Sequence, residues 1–518
     1  MYFFGAMVNE TVKKIVKRAC KFFFLWLIVQ FFLQTYVTYK LEYTGGIWTF
    51  IWMWKEFLIV LFWGVVLYSL ISQLPQYLAA IKKESKSLNL STFLQCFKKY
   101  SLLQFVILLV GTSFLCFVIA FLFQHADFKA FFLSFKYDLL PLWIFWIGIG
   151  LGYFYFTEKD QDLIQFYRKI IRWVVWLWIL WWGLVYFVPQ GLRHFWYSPS
   201  NPEALVGQAP PVAYYTNIYP HFENSYVRNS FLFERPITFW FWLVAFFPFF
   251  FFVFLRKNKR FGQIFLTFLY GLLVFSTWSR AALALRALEL VVVLVILNWN
   301  LFKKHLFKIL IFCLVGGVAV CYFGRWIFAR DYSNTWHVIL IVEGWKLAKE
   351  KLFSWWGIWY AGPASHQLCA RDLVGLENPL EFSFSEKHPD ARCETIRKIN
   401  NQYSIKTFGY NPENQYLQIL MEYGIFGLLG RGCCLLWMVW YSFVTWKKYH
   451  SCKKTKFQDL LYFTVIGAGI GLLGLCAEGM VLHSLTDRMV VYPFFLLYGM
   501  SIGMWEKEKK KIYLSTGK

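Results

Sequence analysis

The sequence predicts an all-α, polytopic membrane protein with about twelve transmembrane helices and a large external loop between helices 9 and 10. Three observations carry that prediction. Of 518 residues, 58% are hydrophobic and 22% aromatic, and the mean hydropathy is +0.45, too apolar for a water-soluble chain of this length. Apolar runs of about 20 residues, enough to cross the hydrocarbon core, recur from end to end. Lysine and arginine crowd every second connection between those runs.

The runs lie near 22–38, 48–74, 101–123, 138–156, 173–190, 236–255, 261–279, 281–299, 306–324, 415–445, 459–477 and 480–505. Tryptophans gather at their ends, as at Trp48, Trp52 and Trp54 and again at Trp173, Trp176, Trp178, Trp181 and Trp182, which suits rings that prefer the headgroup interface. The chain therefore divides into helices 1–9 over 1–324, with an external connection near 191–235. A large external loop follows over 325–414, then helices 10–12 over 415–505 and a basic tail over 506–518.

A net charge of +24 is high enough for a nucleic-acid binder, but the distribution of the cations points to topology. Clusters occur at Lys13, Lys14, Lys17, Arg18 and Lys21, at Lys82, Lys83, Lys86, Lys98 and Lys99, and at Arg168, Lys169 and Arg172. They recur at Arg256, Lys257, Lys259 and Arg260, at Lys303 and Lys304, from Lys447 to Lys456, and from Lys507 to Lys511. By the positive-inside rule these segments are cytoplasmic, both termini are inside, and the connections over 191–235 and 325–414 are outside. No nucleic-acid partner is expected.

The first apolar stretch is expected to be a span, because it is long and lacks a small-residue cleavage site. Of eleven cysteines only Cys369 and Cys393 fall in the large loop, where a disulfide and two free thiols both remain open. Within that loop, Trp336 to Phe353 has helical periodicity followed by Trp355, Trp356 and Trp359, the pattern of a helix lying on a membrane surface. The stretch from Leu368 to Pro412 reads as irregular structure or short helices. No internal repeat is evident, which counts against an inverted-repeat transporter.

Ionisable residues inside spans cost several kcal/mol and mark function when they cluster. On this topology Lys55, Glu56, Arg280, Arg286, Glu289, Glu422, Arg431, Asp487 and Arg488 all fall in the outer half or at the outer edge, while Lys308 and Asp459 sit at inner ends. A polar cavity open to the outside is one reading. Local pairing of Arg286 with Glu289, and helix capping by Asp487 and Arg488, is the other.

Where the large loop enters the tenth run stand Glu413, Asn414, the nine residues 415–423, then Gly424 and Gly427. Ser279-Arg280 opens an earlier run. This arrangement resembles the O-antigen ligase and O-antigen polymerase superfamily of bacterial surface-glycan enzymes, whose pattern is His, then Asn, Ser or Gln, nine residues and Gly-x-x-Gly. Leu417, Leu420 and Glu422 fit its usual surroundings, and the resemblance covers about residues 260–505. Glu413 stands where the ligases place a catalytic His, a departure that favours the polymerase branch. A glutamate can act as a base when burial raises its pKa. Alternatively Glu413 and Asn414 are a helix-dipole partner and an N-cap.

The resemblance implies transfer of a glycan from a polyprenyl diphosphate to an acceptor hydroxyl at the outer face of the bacterial inner membrane. The donor and the acceptor, a growing glycan or lipid A core, are then the partners, together with membrane lipids. The leaving diphosphate needs preorganised cations, for which the guanidinium is suited. Arg280 is the expected first contact, helped by Arg286, Arg325, Arg330 and Arg431, with Glu422 nearby and Glu413 as the base positioned by Asn414. No cofactor and no metal are expected, since His337, His366 and His388 lack metal-ligand spacing. His366 or His388 could instead fold back to supply the missing histidine. A polysaccharide-lipid flippase or transporter is the alternative from another class.

Overall fold

The computed structural model describes residues 10–40, 54–84, 101–123, 128–157, 214–216, 226–228, 241–248, 280–297, 331–350, 394–399, 402–407, 414–450 and 454–516, with single positions between them. Its apolar body is helical. In chain order it comprises α1 (Glu10–Lys40), α2 (Trp54–Glu84), α3 (Ser101–Val118, closed by a π-turn at Ile119–Phe123), α4 (Phe128–Asp138) and α5 (Leu140–Tyr155). There follow α6 (241–248), α7 (Arg280–Leu297), α8 (Asp331–Glu350), α9 (Gln415–Tyr449), α10 (Lys456–Glu478) and α11 (Arg488–Thr516).

Four of these helices are long and apolar enough to cross a membrane, over Trp54–Ser72, Leu102–Leu122, Gln415–Tyr449 and Lys456–Glu478. A helix is what such sequences must form in lipid, where each backbone amide needs a partner within its own segment. The exposed residues of α3 recur as Ile107, Val110, Phe114 and Phe117, an apolar stripe at helical spacing that water would not tolerate. Thr455 and Gln458 form a capping box that starts α10.

The tightest contact joins α5 to α11. A Cβ on Gly152 would lie 2.2 Å from Met500 O, and one on Gly503 would lie 2.1 Å from Ile149 O, so backbone meets backbone with no room for a side chain. Gly148 and Gly499 repeat the contact one turn earlier, giving two facing small-x-x-x-small stripes on helices that run in the same direction. On the other side of α5, Gly150 receives Val66 of α2, and Ser69 Oγ is 2.7 Å from Tyr155 Oη. Helix α9 packs on α3 through Phe105 and Trp437, and on α10 and α11 through Ser442, which lies 2.6 Å from Tyr498 Oη.

Lys447, Lys448 and Lys454 gather at the end of the bundle remote from Asn414. Lys507 joins them, donating to Tyr153 O at 2.9 Å and so capping the end of α5.

The structure corrects three expectations. The run 415–445 is not one continuous helix, because α9 breaks at Gly424. The last run begins later than 480, at Arg488, because Ser484 and Thr486 turn their hydroxyls onto Leu475 O and His483 O and hold 479–487 as a turn with a 3-10 segment. The stretch read as irregular contains an antiparallel pair, Glu394–Ile399 with Gln402–Thr407, in which Glu394 faces Thr407 and Ile399 faces Gln402. A second, three-residue pair joins Tyr214–Thr216 to Tyr226–Arg228. The runs expected at 173–190, 261–279 and 306–324 lie outside the described residues, except for single positions in the first. So does most of the 325–414 loop, including Cys369, Cys393, His366 and His388.

Candidate functional site

The start of α9 is held by its neighbours. Asn414 Oδ1 accepts from Leu417 N at 3.0 Å, the N-cap contact, while its Nδ2 donates to Met480 O at 2.7 Å. Gln415 N donates to Gly479 O at 2.8 Å, and its fully buried side chain accepts from Leu485 N at 2.9 Å. Tyr416 Oη donates to Cys476 O at 2.6 Å. The loop after α10 is thereby fixed against the segment that follows Glu413.

Ten residues after Asn414 the helix breaks. Gly424 has φ 66° and ψ −168°, a region that only glycine enters without strain. The break leaves amides without helical acceptors, and one is met from outside: Ile425 N donates to Leu352 O at 3.2 Å. Helix α8 brings that carbonyl, packing Ala348 against Leu417, Leu420 and Met421. Its apolar face, expected on the membrane surface, thus rests in part on α9. Gly427 is the second glycine of the pair because a Cβ there would lie 2.2 Å from Cβ of Tyr423.

The break turns Tyr423 inward, where its hydroxyl hydrogen-bonds Ser134. Ser134 Oγ donates to Asp138 Oδ2 at 3.1 Å, and Arg431 Nη1 donates to Asp138 Oδ1 at 2.8 Å. All four side chains are buried, so this is a closed polar network linking α4 to both halves of α9. Beside it, buried Gln418 Nε2 donates to Glu422 Oε2 at 3.3 Å.

Helix α4 presents Ser134 and Asp138, four residues apart, to α9, and Lys136, between them, in another direction. Lys136 Nζ lies 2.9 Å from Glu56 Oε1 at the start of α2. Arg488 Nη1 approaches the same oxygen at 3.6 Å, and Lys55 Nζ lies 3.8 Å from Oε2. Three cations thus share one carboxylate. Arg488 also stands over the Tyr137 ring, 4.8 Å from its centroid, and Tyr492 Oη donates to Lys136 O at 3.1 Å. Burial, followed by the charge of Arg488, holds the Lys136 ammonium pKa below its ordinary value despite the pull of Glu56.

Of the site residues expected from sequence, Asn414, Glu422 and Arg431 lie together on α9, at the end of the bundle that carries the cation cluster. Arg431 is occupied by Asp138. Arg280 opens α7 and Arg286 lies six residues further on, with their side chains outside the described residues. Glu413, Arg325 and Arg330 lie outside them altogether. Sequence reasoning missed Ser134, Lys136, Asp138 and Tyr423; a basic and an acidic residue two apart, just before an apolar run, were the available signal. No group of three metal-ligating side chains occurs among the described residues.

These features define a helical membrane protein with a charged, buried cluster at one end of its bundle. Comparison with family models, curated proteins and solved structures finds no match to the chain.

Proposed function

We propose that the chain is a glycosyltransferase of the bacterial inner membrane, moving a polyprenyl-diphosphate-linked glycan onto an acceptor hydroxyl in surface-polysaccharide assembly. The observation that carries this reading is the junction at Asn414. There a polar loop enters an apolar bundle through a capped, glycine-broken helix, beside buried carboxylates and a group of cations. Such a junction gives a lipid-borne donor and an aqueous acceptor a common meeting place.

In this reading the chain has twelve spans, both termini are cytoplasmic, and 325–414 faces outward. Glu413 takes the acceptor proton and Arg280 neutralises the leaving diphosphate, with Arg286, Arg325 and Arg330 around it. Asn414 spends both ends of its amide on backbone, so it acts by positioning Glu413. Arg431, already paired with Asp138, holds α9 on α4. The glutamate at 413 favours a polymerase, with a growing glycan as acceptor, over a ligase that uses lipid A core.

The test is the surface-glycan profile after gene deletion and complementation with wild type, Glu413→Ala and Arg280→Ala, with expression checked by blot. A deletion that leaves a single repeat unit on the acceptor identifies a polymerase. One that leaves polymer on the lipid carrier and none on the acceptor identifies a ligase. Full complementation by both variants overturns the residue roles, and an unchanged profile in the deletion overturns the function.

A further inference from the structure

We infer that Gln415 and Gln418, on the first turn of α9, form a subsite for a neutral sugar, one hydroxyl of which pairs with both side-chain amides. The class of ligand rests on the glycan reading above, and the place rests on two unmet polar atoms. Gln415 is 0% and Gln418 1% exposed. Each spends half of its amide: Gln415 Oε1 accepts from Leu485 N at 2.9 Å, and Gln418 Nε2 donates to Glu422 Oε2 at 3.3 Å. The other halves, Gln415 Nε2 and Gln418 Oε1, are buried with no hydrogen-bond partner among the described residues.

An unmet buried donor and an unmet buried acceptor each destabilise the empty protein, and a ligand that pairs with both removes that cost. The two residues stand three apart and are neighbours on one face of the helix, with Glu422 further along the same face. Their opposite sense selects the ligand. A cation cannot use the Nε2 donor and an anion cannot use the Oε1 acceptor, whereas a hydroxyl accepts from one and donates to the other. The two atoms stand out in an otherwise paired helix start, where Asn414 uses both ends of its amide and Tyr416 Oη donates to Cys476 O. Beside them runs the turn over 479–487, which gives Leu485 N to the Gln415 side chain and Gly479 O to its backbone. That turn contains only a three-residue 3-10 segment, so it lifts from α9 without unwinding an α-helix and admits the sugar. The opened subsite adjoins Asn414, which brings the bound sugar next to Glu413, the proposed base.

The experiment titrates the full chain, purified in a polyoxyethylene detergent that carries no sugar, with the methyl glycosides of glucose, galactose, rhamnose and N-acetylglucosamine. Binding is read by saturation-transfer NMR, and the melting temperature of each protein is taken without sugar. The expected result is saturable binding of at least one glycoside, weakened about tenfold or more by Gln415→Met, by Gln418→Met and by one deoxy analogue of that glycoside. No saturable binding of any glycoside overturns the subsite, as does binding that neither variant weakens. Gln415→Met also loses the bond from Leu485 N, and should it fail to fold, Gln418→Met alone decides. The glycan assignment is judged separately by the deletion profile. A changed profile without glycoside binding removes the subsite and leaves the function, whereas variant-sensitive binding with an unchanged profile removes the function and leaves a sugar site.

Discussion

Arg431 Nη1 meets Asp138 Oδ1 at 2.8 Å, with the two side chains only 4 and 3% exposed, so an arginine within an apolar helix carries its counter-charge on a helix almost 300 residues earlier in the chain. The pair makes a charge in the bundle tolerable and ties α4 to the half of α9 beyond the break. Removing one partner leaves an uncompensated buried charge. We expect Arg431→Met or Asp138→Leu to cost about 3–5 kcal/mol, and the double variant to be markedly less damaged than either single one. Thermal unfolding of the four proteins in one detergent reads the cycle; simple additivity would show that the pair is not coupled.

The glycines of the α9 break predict opposite outcomes for similar changes. Gly424→Ala forces a side chain into φ 66° and should cost about 1–3 kcal/mol, and Gly427→Ala meets Tyr423 at 2.2 Å and should cost a similar amount. Gly432→Ala, with nothing within 4 Å of the added Cβ, should be neutral or stabilising by up to about 1 kcal/mol. Melting temperatures of the three variants decide.

Where α5 meets α11 there is no space for a side chain. Gly152→Leu and Gly503→Leu should abolish a monodisperse folded peak in detergent chromatography, since each pushes backbone from backbone starting at 2.2 and 2.1 Å. Gly111→Leu on α3, whose Cβ has open space, is the matched control and should elute as wild type.

Asn414 serves as cap acceptor and as donor to Met480 O, and these parts can be separated. Asn414→Asp keeps the acceptor, loses the donor and should retain most of the stability. Asn414→Ala loses both and should cost about 1 kcal/mol or more. If glycan assembly falls in both variants while folded yield falls only in the second, the contact with Met480 matters for positioning; equal losses would reduce it to stability alone.

Asp162 anchors α1 through Lys17 at 2.5 Å and Lys21 at 2.9 Å. Burial alone would raise its pKa, but the hydrogen bonds and charges of the two lysines outweigh that and hold it below the ordinary 3.8. The folded-state value is therefore the lower one. Its stabilisation is present above the unfolded value and is lost as pH falls through the folded one. We expect the stability difference between wild type and Asp162→Asn to be constant near neutrality, to vanish in strong acid and, because the carboxylate is half exposed, to shrink in high salt. A difference that grows on acidification would reverse the sign of the argument.

The sequence by itself determined the class of this protein and where several of its helices lie. Apolar runs of bilayer length must become helices in lipid, and those read at 101–123, 138–156 and 459–477 coincide closely with described elements. Periodicity located the helix within the large loop, and Asn414 was legible as a cap from its position before an apolar run. Pairing was not legible, because a charge shows its own position and not its partner's. Nothing near Arg431 points to Asp138, and Glu56 reveals nothing of Lys136 or Arg488 until α2, α4 and α11 are brought together. The Gly424 and Gly427 pair likewise read as a motif, whereas the fold makes it a helix break, enforced by φ 66° at one glycine and by Tyr423 packed against the other. Local patterning fixes helices because their hydrogen bonds are local, and only the tertiary structure decides how buried charges are neutralised, because that depends on contacts between segments far apart in the chain.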